Sequence, residues 1–196
     1  MTPELLFAWL LGYLFGSIPF GLLLTRFAGK GDVRDVGSGN IGATNVLRAG
    51  GKGLAAATLV LDALKASAAI LLAGQLWPGS ETFAAAGALI GHLYPVWLRF
   101  KGGKGVATLL GVLIALLPMA AAVYALVWVG LLLTVRISSV AGIAAAISAP
   151  ITAAVVGAQN LFPMLLGFAL LVVWRHRANI HRLRTGTEPA IGKRKT

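Results

Sequence analysis

The chain has 196 residues, 58% of them apolar and only 12% charged, with no cysteine and a formal net charge of +11. A soluble domain is nearer half apolar and a quarter charged, so the composition excludes an ordinary soluble protein and fits an integral membrane one. The missing cysteines exclude disulfides and thiol chemistry, and the positive charge lies between hydrophobic segments, which is the positive-inside pattern rather than that of a nucleic-acid binder.

The first apolar run, 3–25, carries Glu4 and no early Lys or Arg. A signal peptide needs a positive n-region, so the run reads as a retained helix long enough to span. Gly12 and Gly16 within it form a GxxxG, a face that lets helices approach closely in lipid. The second run, 54–76, contains Asp62 and Lys65 at i, i+3. A lone charge there costs about 3 kcal/mol on insertion scales, and a mutual pair facing the bundle lowers that cost. The pair either serves the fold alone or also supports a site.

The third run is 82–98, and two longer ones follow at 105–135 and 139–174. Pro118 and the stretch Asn160-Leu-Phe-Pro163 mark turns within these, so each is read as two helices. Charge supports the count. With seven spans, the segments 26–53, 99–104 and 136–138 and the tail from 175 share one side and hold all but one of the 17 Lys and Arg; the exception is Lys65. The expected fold is therefore all-α, with seven transmembrane helices at about 3–25, 54–76, 82–98, 105–118, 119–135, 139–157 and 161–175. These make one integral membrane domain over 1–196, with the N-terminus outside and the C-terminus cytoplasmic. The cytoplasmic segments are 26–53, 99–104, 136–138 and 176–196.

The polar chemistry is concentrated in those segments. In Val36-Gly-Ser-Gly-Asn-Ile-Gly-Ala-Thr-Asn-Val-Leu-Arg48, turn-forming Gly37, Ser38, Gly39 and Gly42 alternate with hydrogen-bonding Asn40, Thr44 and Asn45. Ser38 can donate to a phosphate or carbonyl oxygen, and Arg48 can bind a phosphate in bidentate fashion. The second segment, Gly91 to Thr108, ends in Phe100-Lys-Gly-Gly-Lys-Gly-Val-Ala-Thr108. Gly102, Gly103 and Gly105 offer a backbone cradle, followed by a helix start that favours an anion. The Walker spacing is absent. Lys104, deepest in the glycines, is the expected phosphate ligand; Lys101 is a second contact or a headgroup anchor. His92 reads as a hydrogen-bonded structural histidine. In the third segment, His176 and Asn179 share a helix face at i, i+3. Glu188, one of only six acids, suits a partner that orients a basic group.

No H-x4-D, aspartate cluster or HExxH occurs. Neither metal nor cofactor is expected, and the cationic segments suit anionic substrates.

Together these stretches, with Gly16-Ser-Ile-Pro-Phe-Gly21, Leu61-Asp-Ala-Leu-Lys65, Gly91-His-Leu-Tyr-Pro95, Arg175 to Leu183 and Gly186-Thr-Glu188, resemble the bacterial acyl-phosphate:glycerol-3-phosphate acyltransferase family. The resemblance covers nearly the whole chain in the same order and spacing. It implies transfer of a fatty acyl group from acyl phosphate to the 1-hydroxyl of glycerol 3-phosphate, giving lysophosphatidic acid and phosphate. By position it implies functional roles for Ser38, Arg48, Lys104, His176 and Asn179, and fold support from Glu188. Ser139 or Ser138 would stand for a further family serine, although Gly142 departs from the pattern.

Acyl phosphate is already activated, so no acyl-enzyme is expected; positioning and charge would carry catalysis. The donor phosphate is placed on Ser38, the glycine backbone and Lys104, with Gly37, Gly39, Asn40, Asn45, Lys101 and Thr108 as neighbouring contacts. Glycerol 3-phosphate is placed on Arg48, His176 and Asn179. The base is His176 or a donor phosphate oxygen. The protein is expected to act as a monomer among lipids of the bacterial inner membrane, with its site facing the cytoplasm. An organic-phosphate transporter is the alternative, weakened by outer turns that carry little polar chemistry and by the lack of mid-depth polar residues other than Asp62 and Lys65.

Overall fold

The structure is a computed structural model that describes residues 2–191. Residues 192–196, the end of the basic tail assigned above to the cytoplasm, lie outside them. The described residues are helical, without strands. They divide into two compact units, Met1–Leu116 and Leu117–Thr196.

The first unit contains α1 (Pro3–Gly16), α2 (Phe20–Phe27), α3 (Ala43–Gly50), α4 (Lys52–Leu76), α5 (Glu81–Leu93) and α6 (Val106–Leu116). The single helix expected over 3–25 is broken at Ser17-Ile-Pro19. Pro19 has no N–H to continue the helix and pushes Ile18 out of helical geometry. α4 begins after Gly51, whose φ is 88°, and α5 stops at Leu93 because Tyr94 precedes Pro95. The chain then makes a 3-10 turn, Val96–Leu98, instead of continuing as helix to 98.

α1 and α5 pack through small residues on both sides. A Cβ at Gly12 or Gly16 would collide with the carbonyls of Ala84 or Ala88, and one at Gly87 or Gly91 with those of Trp9 or Tyr13. This contact fixes the turn after α5: the Tyr13 hydroxyl donates to the Tyr94 carbonyl at 2.9 Å, and the Trp97 indole to the Ser17 carbonyl at 2.8 Å. On the other side, α4 packs on α6, with Ser67 donating to the Gly111 carbonyl at 2.7 Å. A small apolar core of Leu22, Val33, Ile41 and Val46 lies beneath the segment leading into α3.

The second unit contains α7 (Pro118–Thr134), α8 (Ser138–Val155), α9 (Phe162–Arg175) and α10 (Arg177–Arg184). Pro118 opens α7 at its first turn, and the preceding Leu117 is extended. α8 buries a row of small residues including Ala141, Gly142, Ala145 and Ala149. Among the described residues, three helical stretches are long and apolar enough to cross a membrane: Pro3–Phe27, Lys52–Leu76 and Ser138–Val155. Val106–Leu116, Pro118–Thr134 and Phe162–Arg175 are apolar but shorter.

A methyl group at Gly12 must displace the α5 backbone, whereas one at Gly130 meets nothing within 4 Å. Gly12→Ala is expected to destabilise the protein by about 2 kcal/mol and Gly130→Ala not at all, as measured by unfolding in mixed detergent micelles.

Candidate functional site

The expected residues fall into three clusters, two in the first unit and one in the second. The first is organised by Asn45. Its side chain is 2% exposed. Its amide nitrogen donates to the carbonyls of Val33 at 2.7 Å, Val36 at 2.8 Å and Asn40 at 2.9 Å, and its oxygen accepts from the Ser38 N–H at 3.1 Å. With two N–H groups and three acceptors, one N–H is shared. Asn45 therefore holds the loop, with its polar atoms engaged by the chain's own backbone. Asn40 accepts from the Gly42 N–H at 2.9 Å and sets the entry to α3.

Ser38 and Arg48 are exposed around this pivot. Gly37, at φ 60°, lies under the Arg48 side chain: a Cβ there would stand 3.2 Å from Cδ and 3.6 Å from Nη1, and would collide with the Asn45 oxygen. Only glycine permits that approach, which brings a hydroxyl-bearing loop and a guanidinium to one surface. Next to it, Asp32 bonds Arg26 at 2.7 Å and Arg34 at 2.6 Å. The Arg34 side chain beside it holds its carboxyl well below the usual range, outweighing the opposing effect of burial, with further help from the Arg34 N–H and Arg26.

The second cluster surrounds the lysine-glycine loop. Arg99 and Phe100, non-glycine residues with φ of 50° and 60°, turn the chain back. The N–H groups of Phe100, Lys101, Gly102 and Gly103 then donate to the carbonyls of Pro95, Leu98, Leu93 and His92 at 3.0, 3.0, 3.2 and 3.0 Å. The N–H groups of Gly102 and Gly103, expected to form part of a backbone cradle, both point back to the end of α5. A Cβ on Gly102 would strike the His92 carbonyl, and one on Gly103 the His92 ring. These glycines serve close approach. Lys101 is exposed and Lys104 half-buried. The Thr108 hydroxyl, in the first turn of α6, is buried without a hydrogen-bond partner among the described residues. Behind the loop, Lys65 bonds Asp62 at 2.7 Å, His92 Nδ1 at 3.0 Å and the Ile18 carbonyl at 2.8 Å.

The third cluster centres on Glu188. Its Oε1 accepts from Ser139 at 2.7 Å and from Asn179 at 2.6 Å, and its Oε2 from Arg182 at 2.7 Å. Ser139, rather than Ser138, is thereby the serine that reaches this group. Burial pushes the Glu188 carboxyl up, but the bonds from Asn179, Ser139 and Arg182 together outweigh it and leave the group below its ordinary value. Asn179 is left with a buried oxygen that has no partner among the described residues. His176 Nδ1 lies 2.7 Å from the Val172 carbonyl. A carbonyl only accepts, so Nδ1 carries the proton and a neutral ring keeps its lone pair on Nε2. Sequence reasoning missed Arg182; its signal is the i+3 spacing from Asn179. Among the described residues, no group of three or more His, Cys, Asp or Glu is placed to hold a metal.

Loss of Asn45 removes one donor from three carbonyls and the acceptor of the Ser38 N–H, although the Val33 and Val36 carbonyls keep the N–H groups of Val36 and Gly39. Asn45→Ala is expected to cost about 2 kcal/mol and Ser38→Ala less than about 0.5 kcal/mol, measured by thermal unfolding. Because the folded value of Glu188 is lowered, its contribution is full above about 4.5 and is lost as pH falls through the folded value. Glu188→Gln should therefore melt below the wild type at about pH 6, with the gap narrowing toward about pH 3.

Residues 6–186 match the family model described as glycerol-3-phosphate acyltransferase. A glycerol-3-phosphate acyltransferase of Mesorhizobium japonicum is 55% identical, over 98% of both chains, and one of Rhodopseudomonas palustris strain HaA2 is 55% identical over 96% of both. Among solved structures, the chain is similar to PlsY (YgiH), an integral membrane glycerol 3-phosphate acyltransferase. Its glycerol 3-phosphate form aligns with a TM-score of 0.90 at 43% identity over 96% of both chains. Its lysophosphatidic acid form aligns at 0.88 and 42%, over 96% of this chain and 95% of that one.

Proposed function

The chain belongs to the glycerol-3-phosphate acyltransferase family, and from that premise we propose that it transfers a fatty acyl group from acyl phosphate to the 1-hydroxyl of glycerol 3-phosphate. The products are lysophosphatidic acid and inorganic phosphate, and the reaction opens phospholipid synthesis. The protein is embedded in the membrane. In the bacterial inner membrane it crosses seven times as a monomer, with its N-terminus outside and its C-terminus and glycine-rich segments cytoplasmic. The helix Glu81–Leu93 and the shorter apolar helices Val106–Leu116, Pro118–Thr134 and Phe162–Arg175 supply the four spans beyond the three longest ones, and the distribution of Lys and Arg supports the orientation.

The observation that carries this reading is the approach of Arg48 over Gly37 beside the exposed Ser38, a surface suited to phosphate oxygens. Ser38 and Lys104 take the donor phosphate. Arg48, His176 and Asn179 serve glycerol 3-phosphate. The hydroxyl oxygen attacks the acyl carbonyl carbon, an ester bond forms, and the bond from that carbon to the phosphate oxygen breaks. The electron pair leaves with phosphate, and the hydroxyl proton reaches it directly or through His176 Nε2. Cation contacts stabilise the departing charge. Ser38 is not hydrogen-bonded through its hydroxyl to any histidine among the described residues, which supports direct transfer over an acyl-enzyme. Against a transporter, the mid-depth Asp62 and Lys65 are consumed by each other, Ile18 and His92.

Purified protein given glycerol 3-phosphate with acyl phosphate, acyl-CoA or acyl carrier protein in parallel is expected to make lysophosphatidic acid only from acyl phosphate. Lys104→Ala should lower kcat/KM about 10²-fold or more. Donor-free uptake of labelled glycerol 3-phosphate into liposomes, without product, would establish the transporter instead.

A further inference from the structure

Asp62, Lys65 and His92 are buried in the first unit, at 3%, 4% and 4% exposure, and the transfer chemistry does not use them. An ammonium has three N–H groups and no lone pair. In this structure those three donors match three acceptors: Asp62 Oδ1 at 2.7 Å, the Ile18 carbonyl at 2.8 Å and His92 Nδ1 at 3.0 Å. Since Lys65 can only donate, His92 Nδ1 must accept, and the ring proton is placed on Nε2. That nitrogen is the ring atom nearest the position a Cβ would take on Gly103, with Cε1 at 2.6 Å and Cδ2 at 3.0 Å from it. The His92 carbonyl also receives the Gly103 N–H, at 3.0 Å. Ring and backbone of one residue thus seat the glycine that immediately precedes Lys104.

We propose that His92 is a positioning residue for Lys104, held by Lys65 as its Nε2–H tautomer so that its ring forms the floor of the lysine-glycine loop. The proposal rests on the reading of Lys104 as the donor-phosphate ligand. Asp62 and Lys65 face the ring from α4 and are the charged groups that set its protonation. The break at Ile18 supplies the third acceptor, so the bend in the first apolar segment and the phosphate loop are coupled through one ammonium.

Two measurements on the purified full-length protein test this. The first is the ring ¹⁵N spectrum of histidine-labelled wild type, with the His92 signals assigned by their loss in His92→Gln. The proton is expected on Nε2; a proton on Nδ1, or on both nitrogens, overturns the proposal whatever the activity. The second is a double-mutant cycle on kcat/KM for acyl phosphate. His92→Ala should lose about 10²-fold, His92→Gln should recover part of that loss through its amide, and His92→Ala/Lys104→Ala should be no worse than Lys104→Ala alone. Losses that multiply in the double variant overturn the positioning role, as does a fully active His92→Ala beside an impaired Lys104→Ala. A fully active Lys104→Ala overturns the phosphate reading and this role with it, while leaving the tautomer measurement to stand separately.

Discussion

An unpaired polar group inside hydrocarbon finds no water and costs several kcal/mol. The first unit is organised around that constraint at the ammonium of Lys65. At the break Ser17-Ile-Pro19 the Ile18 carbonyl accepts only a short-range bond from the Phe20 N–H, at 3.2 Å, within the chain, and Lys65 donates to it at 2.8 Å while neutralising Asp62 at 2.7 Å. Its third bond, to His92, carries the arrangement into α5. The same stretch of chain is held again from outside the cluster, because the glycine contact of α1 with α5 brings Tyr13 and Ser17 onto the Tyr94–Trp97 turn. The lysine-glycine loop therefore hangs from a turn fixed on two sides. That is how two consecutive left-handed non-glycine residues, Arg99 and Phe100, are sustained where isolated backbone would relax.

A division of labour recurs in both units. One buried polar side chain spends its hydrogen bonds on the chain, and its neighbours are left to meet solvent or substrate. Asn45 binds three carbonyls and the Ser38 N–H, and Ser38 and Arg48 are exposed around it. Glu188 draws in Ser139, Asn179 and Arg182, which turns the amide of Asn179 so that its oxygen is the atom without a partner. Rigid support of this kind matters because acyl transfer from an activated donor depends on placement more than on a strong base.

Much of this was legible in the sequence wherever a residue type leaves one physical option. Pro118 begins a helix because it lacks an N–H, and Gly12 and Gly16 marked a close-approach face of α1, which meets α5; Pro95, which stops α5 at Leu93, was read through as helix to 98. The break at Pro19 was harder, because the apolar run continues through it unchanged. Roles were least legible where one residue type serves two purposes. A glycine can offer its N–H to an anion or admit a neighbour, and Gly102 and Gly103 do the second. An asparagine in a glycine-rich loop can contact a ligand or hold the loop, and Asn45 holds it. Arg182, among many basic residues near the chain's end, had no signal stronger than its helical spacing from Asn179.

The central claim is attack at the acyl carbon with phosphate as the leaving group. It is tested most directly with acyl phosphate labelled by ¹⁸O at the bridging oxygen, incubated with glycerol 3-phosphate and the purified protein. All the label is expected in inorganic phosphate, in step with unlabelled lysophosphatidic acid. Label retained in free fatty acid, or phosphate released without lysophosphatidic acid, would contradict it.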